Sequence, residues 1–73
     1  MKQLIIIGSG GHAAELRDYI NHHNTARPTD RIEVKGFLDD DATSYDHYGF
    51  SEPYLGKIED HKIDTRVYYL MGI

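Results

Sequence analysis

Three apolar runs punctuate this chain, each followed by glycine or acidic residues. The first, QLIII at residues 3 to 7, sets its β-branched residues side by side, as expected of a strand covered on both faces. Gly8 ends it. From Gly11 or His12 onward, Ala13, Leu16 and Ile20, with Tyr19, recur at three- and four-residue spacing, the stripe of a helix packed on a sheet. That helix is expected to give out near NHHN (21 to 24), and Pro28 breaks the polar TARPTD connection behind it. IEVKGFLD, residues 32 to 39, predicts a second strand. DDDATSYDHYGFSEP reads as a long polar loop, and YLGKIEDH as a short strand or turn followed by a helical turn. Arg66 to Gly72 predicts the third strand.

The order is strand, helix, strand, a long excursion, strand. A strand–helix–strand unit of about 30 residues is the building block of a parallel sheet with a right-handed crossover. The fold class is therefore α/β, a truncated Rossmann-like parallel sheet. The 73 residues allow one small domain, residues 1–73. RVYYLMGI stays apolar to the last residue, where a domain end is usually polar and frayed. We therefore expect the front part of a longer polypeptide.

Composition narrows the partners. Twelve Asp and Glu stand against eight Lys and Arg, an excess that argues against nucleic-acid or anionic-membrane surfaces. The run Leu4 to Ile7 is too short for a signal-peptide core or a membrane span. With no cysteine, neither disulfides nor a thiolate zinc site is available, which fits a cytoplasmic location. The histidines at 12, 22, 23, 47 and 61 lack His-x-x-x-His ligand spacing, so no metal site is expected.

Candidate chemistry concentrates in GSGGHA, residues 8 to 13. Glycines let the chain leave a strand abruptly and let a ligand approach closely. The free amides and dipole of the following helix favour an anion, and Ser9 and His12 add side-chain donors. Gly8, Gly10 and Ala13 satisfy the G-x-G-x-x-G/A dinucleotide pattern, which gains weight here from its strand–turn–helix context. Against this stands a purely structural role for the glycines. Asp39, at the end of the second strand, is placed to accept hydrogen bonds from a ribose diol, although it follows the turn by about thirty residues where roughly twenty is usual. Asp41 reads as part of a solvated turn. Gly72 ends the last strand, so Gly8, Asp39 and Gly72 are expected on one rim. Tyr45, Tyr48, Phe50 and Tyr54 either wall a base or cover the core. No nucleophile–base pair is apparent, since Ser9 and Ser51 lack a histidine at recognisable spacing.

Taken in order, KQLIIIGSGGHAAEL, VKGFLDDD, YLGKIED and VYYLMGI resemble the N-terminal domain of the PglD/NeuD-type sugar O- and N-acetyltransferases. The resemblance covers essentially the whole chain and lies in the combination of Gly-Gly-His, Phe-Leu-Asp-Asp and Leu-Gly-x-Ile-Glu-Asp. It implies a two-domain enzyme of bacterial surface-glycan or sialic acid biosynthesis. The N-terminal Rossmann-like domain would bind a UDP-sugar. A following left-handed β-helix domain would bind acetyl-CoA, carry the catalytic histidine and form a homotrimer. By the same resemblance, Gly11, His12 and Ala13 contact the nucleotide-sugar through the turn, Asp39 and Asp40 hold the uridine end, and Gly72 borders the diphosphate or sugar. Ala13 stands where the family most often has glycine. No hexapeptide repeat occurs here, so this segment is expected to bind no cofactor and to catalyse nothing alone. An NAD(P)-binding oxidoreductase domain and a non-catalytic interaction module are the alternatives.

Overall fold

The computed structural model describes residues 2–72. Strand β1 (Lys2–Ile7) leads into helix α1 (Gly11–Ala26), then β2 (Ile32–Leu38), α2 (Ala42–Tyr48), β3 (Tyr54–Gly56), a 3-10 turn (Ile58–Asp60) and β4 (Tyr68–Met71). The strands form one sheet in the order β3-β2-β1-β4, and every neighbouring pair is parallel. Strand order therefore reverses between β1 and β4. In open parallel sheets the crevice beyond the carboxyl ends at such a point is where ligands bind.

The core follows from the pleat, because alternate residues of a strand face opposite sides. Ile6 of β1 and Phe37 of β2, both fully buried, meet Ala13 and Ile20 of α1 and Phe50 of the segment after α2. On the other face Ile5 and Leu38 pack with Val67, and the 3-10 turn contributes Ile58. The β1 run is thus covered on both faces at Ile5 and Ile6, while Leu4 and Ile7 are half-buried. In α1, Ala13 and Ile20 face the sheet, Leu16 is half-buried and Tyr19 is exposed. Tyr19 precedes the buried Ile20 on the helix and so points some 100° away from it.

Two boundaries differ from the apolar pattern. Helix α1 continues past NHHN to Ala26, because its last turn is tied down by a side chain. Asn24, buried, donates from Nδ2 to the Ile32 carbonyl and accepts from the Ile32 amide at Oδ1, both at 2.8 Å. This amide imitates a strand neighbour and fastens the end of α1 to the start of β2. The excursion after β2 is no featureless loop either: it holds the helix α2, while β3 and the 3-10 turn fall within YLGKIEDH, where a short strand or turn and a helical turn are expected. Polar at most positions, α2 shows no apolar stripe. It is started by Asp41, which accepts from the Thr43 amide at 3.0 Å, and stopped by Gly49 at φ 60°, a capping pair that stabilises short helices. Tyr45 holds it to the core, packing 6.1 Å from Phe37 and 5.7 Å from Phe50 between ring centroids.

Candidate binding site at the carboxyl ends of the strands

The turn between β1 and α1 is built for abruptness. Gly8 sits at φ 102°, a conformation that side chains rarely allow, and its amide donates to the Leu38 carbonyl at the end of β2. Ser9 follows, wholly buried. Its amide and its hydroxyl both donate to Asp39 Oδ2, each at 2.8 Å. Asp39 Oδ1 accepts from the Asp41 amide at 2.8 Å. Asp39 therefore clamps the glycine turn to the end of β2. A carboxylate offers about four acceptor directions, so one remains for a ligand hydroxyl. Ser9, by contrast, gives its hydroxyl to Asp39 rather than to the crevice.

Tyr54 supports this clamp from below, its hydroxyl donating to the Asp39 carbonyl at 2.6 Å. Desolvation, then the negative charge of Asp39 and of Asp40, Asp41 and Asp60, push the Tyr54 phenol above its ordinary value. The group thus stays a donor over a wide pH range.

Helix α1 opens towards the crevice without a side-chain cap. Its N-cap residue is Gly10 in an extended conformation, and no acidic residue lies in its first turn. The first amides of a helix have no acceptor within it, so those of Gly11 to Ala13 face the rim unsatisfied by the helix itself. A Cβ on Gly10 would meet no atom within 4 Å. Neither a positive φ nor packing demands glycine at this position; it is a tolerated N-cap, and its missing side chain leaves the start of the helix open to the crevice.

These elements enclose a cavity of about 350 Å³ lined by Gly8, Ser9, Gly10, Gly11, His12, Asp39, Ser44 and Gly72. Six residues singled out from the sequence thus meet on one rim: Gly8, Gly10, Gly11, His12, Asp39 and Gly72. His12 is exposed and lies 3.9 Å from Glu15. Gly72 donates to the Ile7 carbonyl at 2.7 Å. Two others lie elsewhere. Ala13 is fully buried beneath the rim, where its methyl packs against the position a Cβ on Gly72 would need. Asp40 turns to the far side of β2 and accepts from the Ile58 amide at 3.1 Å. Asp41 is exposed, as a solvated turn requires, and it also caps α2, where Thr43 and Ser44 hold its carboxyl below the usual range.

Ser44 was not apparent from the sequence. It reaches the crevice because α2 folds back over the turn, and the Asp-x-Thr start with Gly49 eight residues on is the signal that marks that helix. A model of the PglD N-terminal domain matches residues 3–73. The chain belongs to the PglD N-terminal domain family. It is thereby of the kind that forms the N-terminal part of PglD/NeuD-type acetyltransferases. No curated protein matches the chain, and no solved structure matches it. Among the described residues, no helix is long and apolar enough to cross a membrane.

Proposed function

We propose that this domain binds a nucleotide-sugar, a UDP-sugar, across the crevice at the carboxyl ends of β1, β2 and β4. It would present that ligand to the acetyl-transferring part of a sugar acetyltransferase. The observation that carries this reading is the uncapped, acid-free start of α1 opening on the crevice, with Gly10 adding no side chain to close the approach. The diphosphate would lie against the amides of Gly11 to Ala13, where the helix dipole favours negative charge. His12 would stand at its flank. Asp39, with one acceptor direction left, would take a ribose hydroxyl, and Gly72 would border the sugar side. Asp40, engaged with the Ile58 amide, would reach the uridine only by giving up that bond.

In the complete enzyme the sugar amine or hydroxyl would attack the acetyl-CoA thioester carbonyl, releasing CoA thiol as a histidine base takes the attacking group's proton. Acetyl-CoA, that histidine and the trimer contacts would belong to a left-handed β-helix domain of the complete enzyme. The cytoplasm is the compartment that holds both substrates.

Titration of the domain with UDP tests the binding. The amides of Gly10 to Ala13 and of Asp39 are expected to shift, and UDP to raise the thermal midpoint more than NAD does, since a ligand that binds only the folded state stabilises it. Stabilisation by NAD and not by UDP would point to an oxidoreductase cofactor domain. No amide shift with millimolar UDP would leave the glycines a structural role.

A further inference from the structure

A second cavity, of about 440 Å³, adjoins the first and is lined by Gly10, Thr43, Ser44, His47 and Tyr48. Gly10 and Ser44 border both, so the two are one continuous groove that passes over the glycine turn. Their walls differ in chemistry. The first is glycine backbone, His12 and the Asp39 carboxylate; the second is hydroxyls and two aromatic rings, with no lysine or arginine to hold a phosphate.

The four aromatic residues of this region divide sharply. Phe50 is buried. Tyr45 packs against Phe37 and Phe50 and donates its hydroxyl to the Glu52 carbonyl, and Tyr54 supports Asp39. Tyr48 alone remains 44% exposed. It is nonetheless held in place: its ring lies 6.0 Å from that of Phe50 and meets the His47 ring edge-on at 4.8 Å. Its hydroxyl reaches over the turn to 3.2 Å from where a Cβ on Gly11 would stand. An aromatic ring supported by its neighbours and exposed to a groove is a stacking platform for a flat ligand group.

The hydroxyls also divide. Thr43 Oγ1 donates to Asp41 at 2.5 Å, whereas the nearest partner of Ser44 Oγ is Asp41 at 3.5 Å. Ser44, at the junction of the two cavities, is held only by this long bond to Asp41, which a ligand group can replace.

We propose that the groove along α2 holds the nucleobase of the bound nucleotide, stacked on Tyr48 with the Ser44 hydroxyl on its polar edge. The proposal rests on the nucleotide reading above and adds to it that α2, rather than the glycine turn, distinguishes a nucleotide from a bare diphosphate. The turn reads the phosphates through backbone amides, which are blind to the base. Tyr48 and Ser44, with His47 and Thr43 beside them, are side chains that can tell one base from another.

Binding of UDP and of inorganic pyrophosphate to the wild-type domain and to Tyr48→Leu, Tyr48→Phe and Ser44→Ala separates the two readings. Wild type is expected to bind both, UDP more tightly, with the uracil H6 resonance shifted by the tyrosine ring. Loss of one stacked ring weakens binding roughly tenfold or more, so Tyr48→Leu should lower UDP affinity by that factor and leave pyrophosphate within twofold. Tyr48→Phe, which keeps the ring, should retain UDP. Ser44→Ala should weaken UDP a few-fold and spare pyrophosphate, and it supplies a second readout should Tyr48→Leu fold poorly by far-UV circular dichroism. Equal wild-type affinity for the two ligands would overturn the base subsite alone, as would UDP affinity unchanged in both Tyr48→Leu and Ser44→Ala. Wild-type protein that binds neither ligand would overturn the nucleotide reading and this inference with it.

Discussion

Replacing Asp39 tests whether its first task is to build the site or to touch the ligand. Its carboxylate accepts three hydrogen bonds at 2.8 Å, from the amide and hydroxyl of Ser9 and from the Asp41 amide. Asp41 is exposed and can turn its amide to water. Ser9 is wholly buried, so Asp39→Ala leaves two donors without an acceptor. An unsatisfied buried polar group costs about 1–3 kcal/mol, which puts Asp39→Ala at about 2–4 kcal/mol with allowance for some entry of water. Asp39→Asn can keep both Ser9 bonds on its single oxygen, but neutral acceptors are about half as strong, and its amide nitrogen then confronts the Asp41 amide. About 1–2 kcal/mol is expected. Ser9→Ala removes only the hydroxyl bond and should cost about 1 kcal/mol.

A domain of this size has little stability to lose, about 4–11 kcal/mol at the usual value per residue. Urea unfolding without ligand, followed by far-UV circular dichroism, measures the loss. With a slope near 1 kcal/mol per molar urea, the Asp39→Ala midpoint should fall by about 2 M or more. A double-mutant cycle with Ser9→Ala should give a coupling of about 1 kcal/mol. If Asp39 served the ligand alone, the midpoint without ligand would not move. A shift under about 0.5 M at unchanged slope would refute the clamp.

Other consequences follow from the same packing. Gly72→Ala would place a methyl 2.9 Å from Ala13 Cβ and from Ile6 Cγ2, both fully buried. Overpacking of about 1–3 kcal/mol should outweigh the roughly 0.4–1 kcal/mol contributed by a stiffer unfolded chain, and a thermal midpoint at or above wild type would contradict it. Asn24→Ala should cost about 1–3 kcal/mol by stripping both Ile32 backbone groups of their partner, and hydrogen exchange at the Ile32 amide should speed up in step. The Asp64 carboxyl, lowered to about 2 by the Arg66 side chain and backbone amide, stabilises the fold fully above the ordinary carboxylate value and loses that contribution as pH falls towards 2. Asp64→Asn should flatten this part of the acid limb, and an Asp64 carbon-13 titration midpoint close to 3.8 would count against the pairing.

Much of the site was legible before the fold, and the reason is local. A strand that ends in Gly8 and a helix that begins at Gly11 are neighbours in sequence, so the turn between them is read directly from GSGGHA. The residues that complete the rim were legible less evenly. Asp39 was placed by its position at the end of β2, yet its grip on Ser9 spans thirty positions and leaves no mark in either segment alone. Ala13 fitted the glycine pattern but serves packing, because the first helical turn must rest on β1 and the space beside Gly72 is too small for more than a methyl. Helix α2 escaped hydrophobic periodicity because it buries few side chains; its start and stop lie in its caps.

By itself the sequence determined the alternation of strand and helix and the glycine turn between the first strand and the first helix. Apolar spacing and backbone freedom are properties of short segments, and they survive being read one segment at a time. Only the tertiary structure decided the strand order β3-β2-β1-β4, which aligns the carboxyl ends of β1, β2 and β4 around one crevice. It also decided that Asp39 clamps the turn, that Ala13 lies under the rim, and that α2 brings Ser44 and Tyr48 beside Gly10. Those juxtapositions depend on where a buried donor finds its acceptor and which methyl fits which gap. Such constraints arise only when distant segments compete for the same space.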